Sequence, residues 1–270
     1  MDVFSPLDVG RAWPVPGQDV DKYARGVVGI DTGSTRYPGA AVLTVLGALY
    51  AGAGFIRYCG TDVVRRTLVQ VAPSVTFGQG RVSVWLVGCG WSGEPSDEER
   101  LTRRFDDGVP MVLDAGALDH LPVALPSTCL LTPHAGELAR LLGVARSVVQ
   151  ADPAAAAQAA ASRTGATVLV KGHRQYVATA DGGLIQAVGG PAWTAQAGSG
   201  DLLAGIAAAL IAQGCTAPIA GVLAASIQAM AAATHPGPYP PHELIRHLPS
   251  VIAHAVQAAG RLDRPDEPRP

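Results

Sequence analysis

Short runs of β-branched residues alternate with Ala/Leu-rich stretches along almost the whole chain, and this alternation leaves few folds open. Strands are predicted at Val27–Asp31, Phe55–Tyr58, Val82–Val87, Val112–Asp114, Cys129–Leu131, Val168–Val170 and Tyr176–Thr179. Helices are predicted at Gly39–Ala51, Thr61–Val71, Ser96–Asp106, Gly136–Leu142, Pro153–Thr164, Asp201–Gln213, Ala217–His235 and His242–Ala259. Runs such as Trp85-Leu86-Val87 and Met111-Val112-Leu113 lack polar alternation. That is expected of parallel strands covered by helices on both faces. The order β, turn, α, turn, β predicts an α/β fold, a three-layer α/β/α sandwich around a mostly parallel central sheet. Ligands of such folds bind beyond the carboxyl ends of the strands, where the Gly-rich and polar turns of this chain fall.

Composition narrows the function classes. The 270 residues suit one large α/β domain. A net charge of −2 favours neither nucleic acid nor an anionic membrane as partner. No run reaches the roughly 18 uninterrupted apolar residues of a membrane span. Residues Met1–Pro16 carry Asp2 and Asp8 and lack the layout of a signal peptide. Cys59, Cys89, Cys129 and Cys215 form no CxxC pair, so no zinc knuckle or disulfide framework is expected. A cytoplasmic location follows as the default. Residues 1–21, with Pro6, Pro14, Pro16 and Gly17, are expected to be an irregular lead-in. Residues 22–260 form the domain, and the charged, Pro-rich 261–270 is expected to be a disordered tail. Ala-rich helical faces suit a homo-oligomer.

Five turns carry chemistry. Ala197-Gly198-Ser199-Gly200-Asp201 opens the helix that follows, so backbone N–H groups and the helix dipole can meet a phosphate there. Asp201 is either a helix cap or a carboxylate that takes a proton from a substrate hydroxyl during phosphoryl transfer. Lys171-Gly172-His173 follows the strand Val168–Val170, and only two of the 20 basic residues are lysines. Lys171 at a strand end can reach phosphate oxygens. In Leu131-Thr132-Pro133-His134-Ala135-Gly136-Glu137, His134 is a turn histidine or a ligand contact. Asp31-Thr32-Gly33-Ser34 and Gly39-Ala40-Ala41 place small residues where a flat ring could approach backbone. Gly88-Cys89-Gly90-Trp91-Ser92-Gly93 is a Gly-rich loop after a strong strand, and no Walker GK[ST] occurs in the chain. Cys89 has no evident base beside it in sequence, which argues against a nucleophile.

Together these segments resemble the ADP-dependent NAD(P)H-hydrate dehydratases, in the family's order from about Asp21 to Pro249. The most specific are TPHAGE, at Thr132–Glu137, and GSGDLLAGI, at Gly198–Ile206. The resemblance implies a ribokinase-like sandwich with no lid domain. It implies repair of hydrated NADH and NADPH (NADHX and NADPHX), with ADP as phosphoryl donor and Mg²⁺ as cofactor. Carried over by motif, Ala40, Gly90, His134 and Asp201 would contact the hydrated dinucleotide. Lys171, Gly172, His173, Arg174, Gln175, Gly198 and Gly200 would hold the adenine nucleotide. Asp201 would be catalytic, and no residue is assigned as a metal ligand. An epimerase, as a partner or a fused half, is also implied. The chain departs from the family's GPGLG at Gly88–Gly93. It departs from DADAL at Asp114-Ala115-Gly116-Ala117-Leu118, and from KGAxT at Lys171–Gln175.

On this resemblance Asp201 takes the proton of the C6 hydroxyl as its oxygen attacks the β-phosphate of ADP. The ring nitrogen then expels phosphate. Two other functions use the same turns. One is a ribokinase-like kinase of a small alcohol such as a thiazole or pyrimidine vitamin precursor, against which TPHAGE argues. The other is a nucleotide-binding protein without turnover.

Overall fold

A computed structural model describes residues 1–94 and 96–262. The strands are β1 (Asp2–Val3), β2 (Val27–Asp31), β3 (Phe55–Tyr58), β4 (Thr76–Phe77), β5 (Val84–Val87), β6 (Met111–Leu113), β7 (Cys129–Leu131), β8 (Thr167–Val170), β9 (Tyr176–Ala178) and β10 (Leu184–Gln186). The helices are α1 (Pro6–Ala12), α2 (Pro38–Tyr50), α3 (Arg65–Val71), α4 (Ser96–Phe105), α5 (Ala135–Leu142), α6 (Arg146–Ala151), α7 (Pro153–Thr164), α8 (Ser199–Ala212), α9 (Ala217–Thr234), α10 (Pro241–Leu244) and α11 (Leu248–Ala258). All ten strands join one sheet, in the order β1-β10-β9-β8-β7-β6-β5-β2-β3-β4. From β8 to β4 every pairing is parallel. Among the described residues β9 is the one reversed strand, antiparallel to both β8 and β10, and β1 extends β10 in parallel.

The sheet is apolar because both of its faces are covered. All residues of β2, β5, β6, β7 and β8 are buried. Alternate residues feed two separate cores: Val84 and Leu86 enter one, Trp85 and Val87 the other. Helices α2, α8, α9 and α11 build the first, and α4, α5 and α7 the second. Strand order reverses between β2 and β5, since β3 and β4 lie to one side and β6 to β8 to the other. A crevice opens at such a switch point, and the loops after β2 and β5 flank it.

Helices α2 and α8 approach at backbone distance on the first face. A Cβ on Gly47 would lie 2.3 Å from the Leu202 carbonyl oxygen, and one on Gly205 would lie 2.2 Å from that of Thr44. Only glycine allows this spacing. It fixes the start of α8, and Asp201 with it, against α2.

The lead-in is not irregular throughout. Ser5 and Asp8 form a reciprocal capping box at the start of α1, with Pro6 in the first turn. The prolines that read as coil are thus partly a helix start. Val9 and Trp13 are buried, and residues 14–21 hold no helix or strand. Arg261, expected in a free tail, donates to the carbonyls of Gly10, Arg11 and Trp13 and closes the end of α1. The rest of the expected tail, 263–270, lies outside the described residues.

The helix expected over His242–Ala259 is broken into α10, a 3-10 turn at Ile245–His247, and α11. Pro249 has no N–H for an upstream carbonyl and favours a first turn. By length and composition α9 could cross a bilayer, yet 72% of it is buried in the fold. Its alanines, like those of α8, are used inside the protein's own core.

With a Cβ 2.2 Å from the Thr44 carbonyl oxygen, Gly205→Ala must push α2 and α8 apart. The expected cost is about 1–3 kcal/mol of stability, read as a lowered midpoint in thermal unfolding. Gly189→Ala, at an exposed position with open space and an ordinary backbone conformation, serves as the comparison.

Candidate active site

The site lies at the carboxyl ends of the central strands, where five turns meet the start of α8. Gly198, in the left-handed conformation (φ +87°), precedes Ser199. The side chain of Gln228 on α9 donates to the Ser199 carbonyl at 2.9 Å and steadies this first turn. A Cβ on Gly200 would sit 3.0 Å from the Lys171 ammonium nitrogen. The glycine turn and the lysine therefore face each other, and a phosphate placed between them would meet both.

Asp201 shares a cluster with two buried residues. One ligand atom each from Cys89, Asp114 and Asp201 lie within 4.8 Å of one another. Asp114 follows β6 and is almost fully buried. It accepts from Lys171 Nζ at 2.6 Å, from Thr132 Oγ1 at 2.8 Å and from Cys89 Sγ at 3.3 Å. Burial, then the Asp114 charge, raise the Asp201 carboxyl to about 6. At neutral pH Asp201 is ionised yet a stronger proton acceptor than an ordinary aspartate. Burial pulls the Lys171 ammonium down, but Asp114 and Glu137 outweigh it and leave its pKa raised. Burial pushes Glu137 up as well. Burial also holds the Cys89 thiol well above its usual range, with Asp114 adding to the effect. Cys89 is thus a hydrogen-bond donor here, not a thiolate nucleophile.

His134 caps α5. Its Nδ1 accepts from the N–H groups of Gly136 and Glu137, and Glu137 returns a bond to the His134 N–H. The ring therefore carries its proton on Nε2 when neutral. The main chain ties the turn to its neighbour, Lys171 N–H donating to the Pro133 carbonyl. A cleft of about 460 Å³ runs from here past Gly200 to a strap at Pro191–Gln196. His134, Lys171, Gly172, His173, Gln175 and Gly200 border it, and Val188, Leu203 and Ala229 form an apolar wall. Arg174 is exposed, and neither it nor Gly198 is among the residues lining the cleft.

Ala40 and Gly90 lie together on the other side of Asp201. A Cβ on Gly90 would be 2.5 Å from that of Ala40, and Gly90 is left-handed. The loop Gly88–Gly93 has the spacing G-x-G-x-x-G, but α4 starts only at Ser96. No helix N-terminus is therefore presented within these glycines, unlike a dinucleotide fingerprint. Cys89 links this side to the charge cluster, so the sequence-predicted residues form a path from Ala40 through Asp201 to Lys171. His134 sits at the Lys171 end of that path.

Asp114 was missed as a site residue, although an acid directly after a fully apolar strand marks a strand-end position. The departure from DADAL has a packing reason. A Cβ on Gly116 would lie 2.7 Å from Trp91 Cβ and 3.3 Å from its carbonyl oxygen, so Trp91 excludes a side chain there. Ala115 takes the left-handed conformation (φ 47°) beside it, a strain of about 1 kcal/mol. Gln228 had no sequence signal, because the Ser199 carbonyl it holds lies 29 residues away.

A buried carboxylate with a raised pKa costs stability once it ionises. Below about pH 4 Asp201 is protonated in both the folded and the unfolded chain, and the penalty vanishes. It grows between about pH 4 and about 6 and is constant above that. Asp201→Asn is expected to stabilise the protein at pH 7.5, by on the order of 1–3 kcal/mol, and to leave it unchanged near pH 4. Thermal unfolding at the two pH values checks this.

The profile of the NAD(P)H-hydrate dehydratase family matches residues 28–250. The bifunctional NAD(P)H-hydrate repair enzyme Nnr of Mycobacterium tuberculosis is 39% identical over 220 residues, covering 78% of this chain and 46% of the relative. The chain thus spans about half the length of that relative. The ADP-dependent (S)-NAD(P)H-hydrate dehydratase of Xanthomonas campestris is 35% identical, covering 82% of this chain and 84% of the relative. The crystal structure of the ADP/ATP-dependent NAD(P)H-hydrate dehydratase of Bacillus subtilis, co-crystallised with ATP/Mg²⁺, superposes with a TM-score of 0.88. It covers 94% of this chain and 98% of its own at 24% identity, and so speaks for the fold alone. A chain matched over most of its length, with this sandwich, belongs to the NAD(P)H-hydrate dehydratase family.

Proposed function

We propose that this chain dehydrates the S epimer of hydrated NADH and NADPH, consuming ADP and releasing NAD(P)H, AMP and phosphate. One observation carries the proposal: a carboxylate with its pKa raised to about 6 opens the glycine turn that faces Lys171. Asp201 accepts the proton of the C6 hydroxyl as that oxygen bonds to the β-phosphorus of ADP. The bond from that phosphorus to the bridging oxygen breaks, and AMP leaves. The amides at Gly198–Gly200 and the dipole of α8 face the charge that spreads over the transferring group. Lys171 leans from Asp114 toward the phosphate oxygens. The ring nitrogen's electron pair then expels phosphate from C6 as a proton leaves C5, restoring the reduced nicotinamide.

Ala40 and Gly90 offer a flat, small-residue seat for that ring. Gly172, His173, Arg174, Gln175, Gly198 and Gly200 serve the adenine nucleotide, and His134, which borders the same cleft, contacts the dinucleotide. Magnesium usually takes one or two carboxylates and completes its shell with phosphate and water. Asp114 fits that pattern, with Asp201 left beside it to take the substrate proton, whereas the Cys89 thiol is too soft a ligand. Bound there, the ion would neutralise phosphate charge. The ADP-dependent relative favours ADP as donor, and the bifunctional one, of which this chain covers 46%, favours a second activity as partner or fused half, which the resemblance implies is an epimerase. The composition favours a cytoplasmic setting and an assembly of several copies.

Purified protein is mixed with hydrated NADH, Mg²⁺ and ADP or ATP, and the near-ultraviolet band of reduced nicotinamide is followed. Recovery is expected with ADP. Asp201→Asn is expected to slow it by about 10²–10⁴-fold. A loss of less than about threefold in a folded variant removes Asp201 from the proton transfer. A stable phosphorylated alcohol in place of recovery points to a kinase. In the active protein, kcat/KM is expected to fall tenfold per pH unit below about 6, because protonated Asp201 cannot accept the hydroxyl proton.

A further inference from the structure

A second polar cavity, of about 400 Å³, opens at Asp31, the last residue of β2, whose following loop leads to Ala40. Three arginines of α4, Arg100, Arg103 and Arg104, line it together with Asp31, Gly60, Thr61 and Gln79. Trp91 and Thr32 tie it to the seat. The Trp91 indole, next in chain to Gly90, donates to the Asp31 carbonyl at 3.0 Å. The Arg100 guanidinium lies 4.3 Å from the centre of that indole. Gly60 packs so closely on the Thr32 carbonyl that a Cβ there would be 2.5 Å away, and Thr32 adjoins the loop that leads to Ala40.

The charges of this cavity do not cancel. Buried Asp31 takes Arg104 at 2.8 Å and also binds Arg100 through its other oxygen, at 2.5 Å. Asp97, also buried, takes the second arm of Arg100 at 3.0 Å. Two buried carboxylates thus match two guanidiniums, and this network holds α4 against β2. Arg103 is the third. Its partner is the exposed Glu99 at 3.6 Å, a surface pair of little strength. One cation therefore remains to meet a ligand, next to the seat for the ring.

We propose that this cavity is the phosphate subsite for the hydrated dinucleotide, with Arg103 reading the phosphate and Arg100 and Arg104 held in place by Asp31. The inference rests on the dinucleotide substrate proposed above. The ligand chemistry is a phosphate, which the substrate carries in its pyrophosphate bridge and, in the NADPH form, at the ribose 2′ position. Guanidinium suits such oxygens through its fork of donors. The reacting hydroxyl then lies between two cationic subsites, the nucleotide at Lys171 and the dinucleotide's own phosphate at Arg103.

The test compares the unmodified protein with Arg103→Ala and with Arg146→Ala, which removes an exposed arginine on the remote α6. KM is measured for hydrated NADH and hydrated NADPH at saturating ADP. Direct titrations with NADH and NADPH run beside it and need no turnover. For Arg103→Ala, KM and Kd of the dinucleotides are expected to rise about 5- to 30-fold, with kcat and the KM of ADP unchanged. An equal rise for both forms assigns the pyrophosphate, and a rise confined to the NADPH form assigns the 2′-phosphate. Unchanged dinucleotide constants, a change no larger than that of Arg146→Ala, or a rise in the KM of ADP instead overturns the subsite. Should the unmodified protein leave hydrated dinucleotides untouched, the proposed function fails while the NADPH titration still decides the subsite. No NADPH binding at all overturns it.

Discussion

The close approach of α2 and α8 is the contact on which the rest of the site depends. Gly47 and Gly205 bring one backbone onto the other at distances no side chain permits. That contact sets where α8 begins, hence where the Gly198–Gly200 amides point and where Asp201 stands. It also carries Leu43 of α2 onto Gly198, where a Cβ would be 2.4 Å from it. The helix that presents the carboxylate and the helix that carries Ala40 are thereby one packed unit. A small error in this packing is an error in the separation of the two proposed binding seats, to which proton and phosphoryl transfer are steeply sensitive.

Within that frame the charges are interdependent. Asp114, Lys171, Glu137 and Asp201 crowd together where water is scarce, so each sets the proton affinity of the next. Lys171 stays cationic because Asp114 and Glu137 outweigh its burial. Asp201 is raised because burial and Asp114 act in the same direction. A poised base at the mouth of an anion-binding turn costs stability, and the surrounding apolar packing offsets it. Asp31 and Asp97 do similar work in a different register: together they neutralise Arg100 and Arg104 and leave Arg103 paired only with the exposed Glu99.

Much of the fold was legible because its signals are local. The apolar runs at Val27–Asp31 and Cys129–Leu131 could be read as buried strands, and the Gly-flanked turns marked the functional end of the sheet. Strands β1, β4 and β10, of two or three residues, were not legible, since a period of two needs more residues to show. Helix α1 was hidden behind prolines although Ser5 and Asp8 spell a capping box. Of the site, Asp201, Lys171 and the two glycine turns stood out through residue type beside a turn. Asp114 did not, because its weight comes from three partners, Lys171, Thr132 and Cys89, that lie 57, 18 and 25 residues away.

Residue order alone thus settled the class of fold, the end of the sheet that carries the site, and the glycine-bounded carboxylate and lysine. These follow from backbone propensity and from hydrophobic periodicity, which act over a few residues. Folding in three dimensions settled the rest: that Asp114 pairs Lys171, that Trp91 fills the space over Gly116, and that three arginines of one helix are answered by only two buried carboxylates. Proton affinity and net local charge are sums over neighbours in space, and the chain brings those neighbours together only when the sheet closes beneath α8.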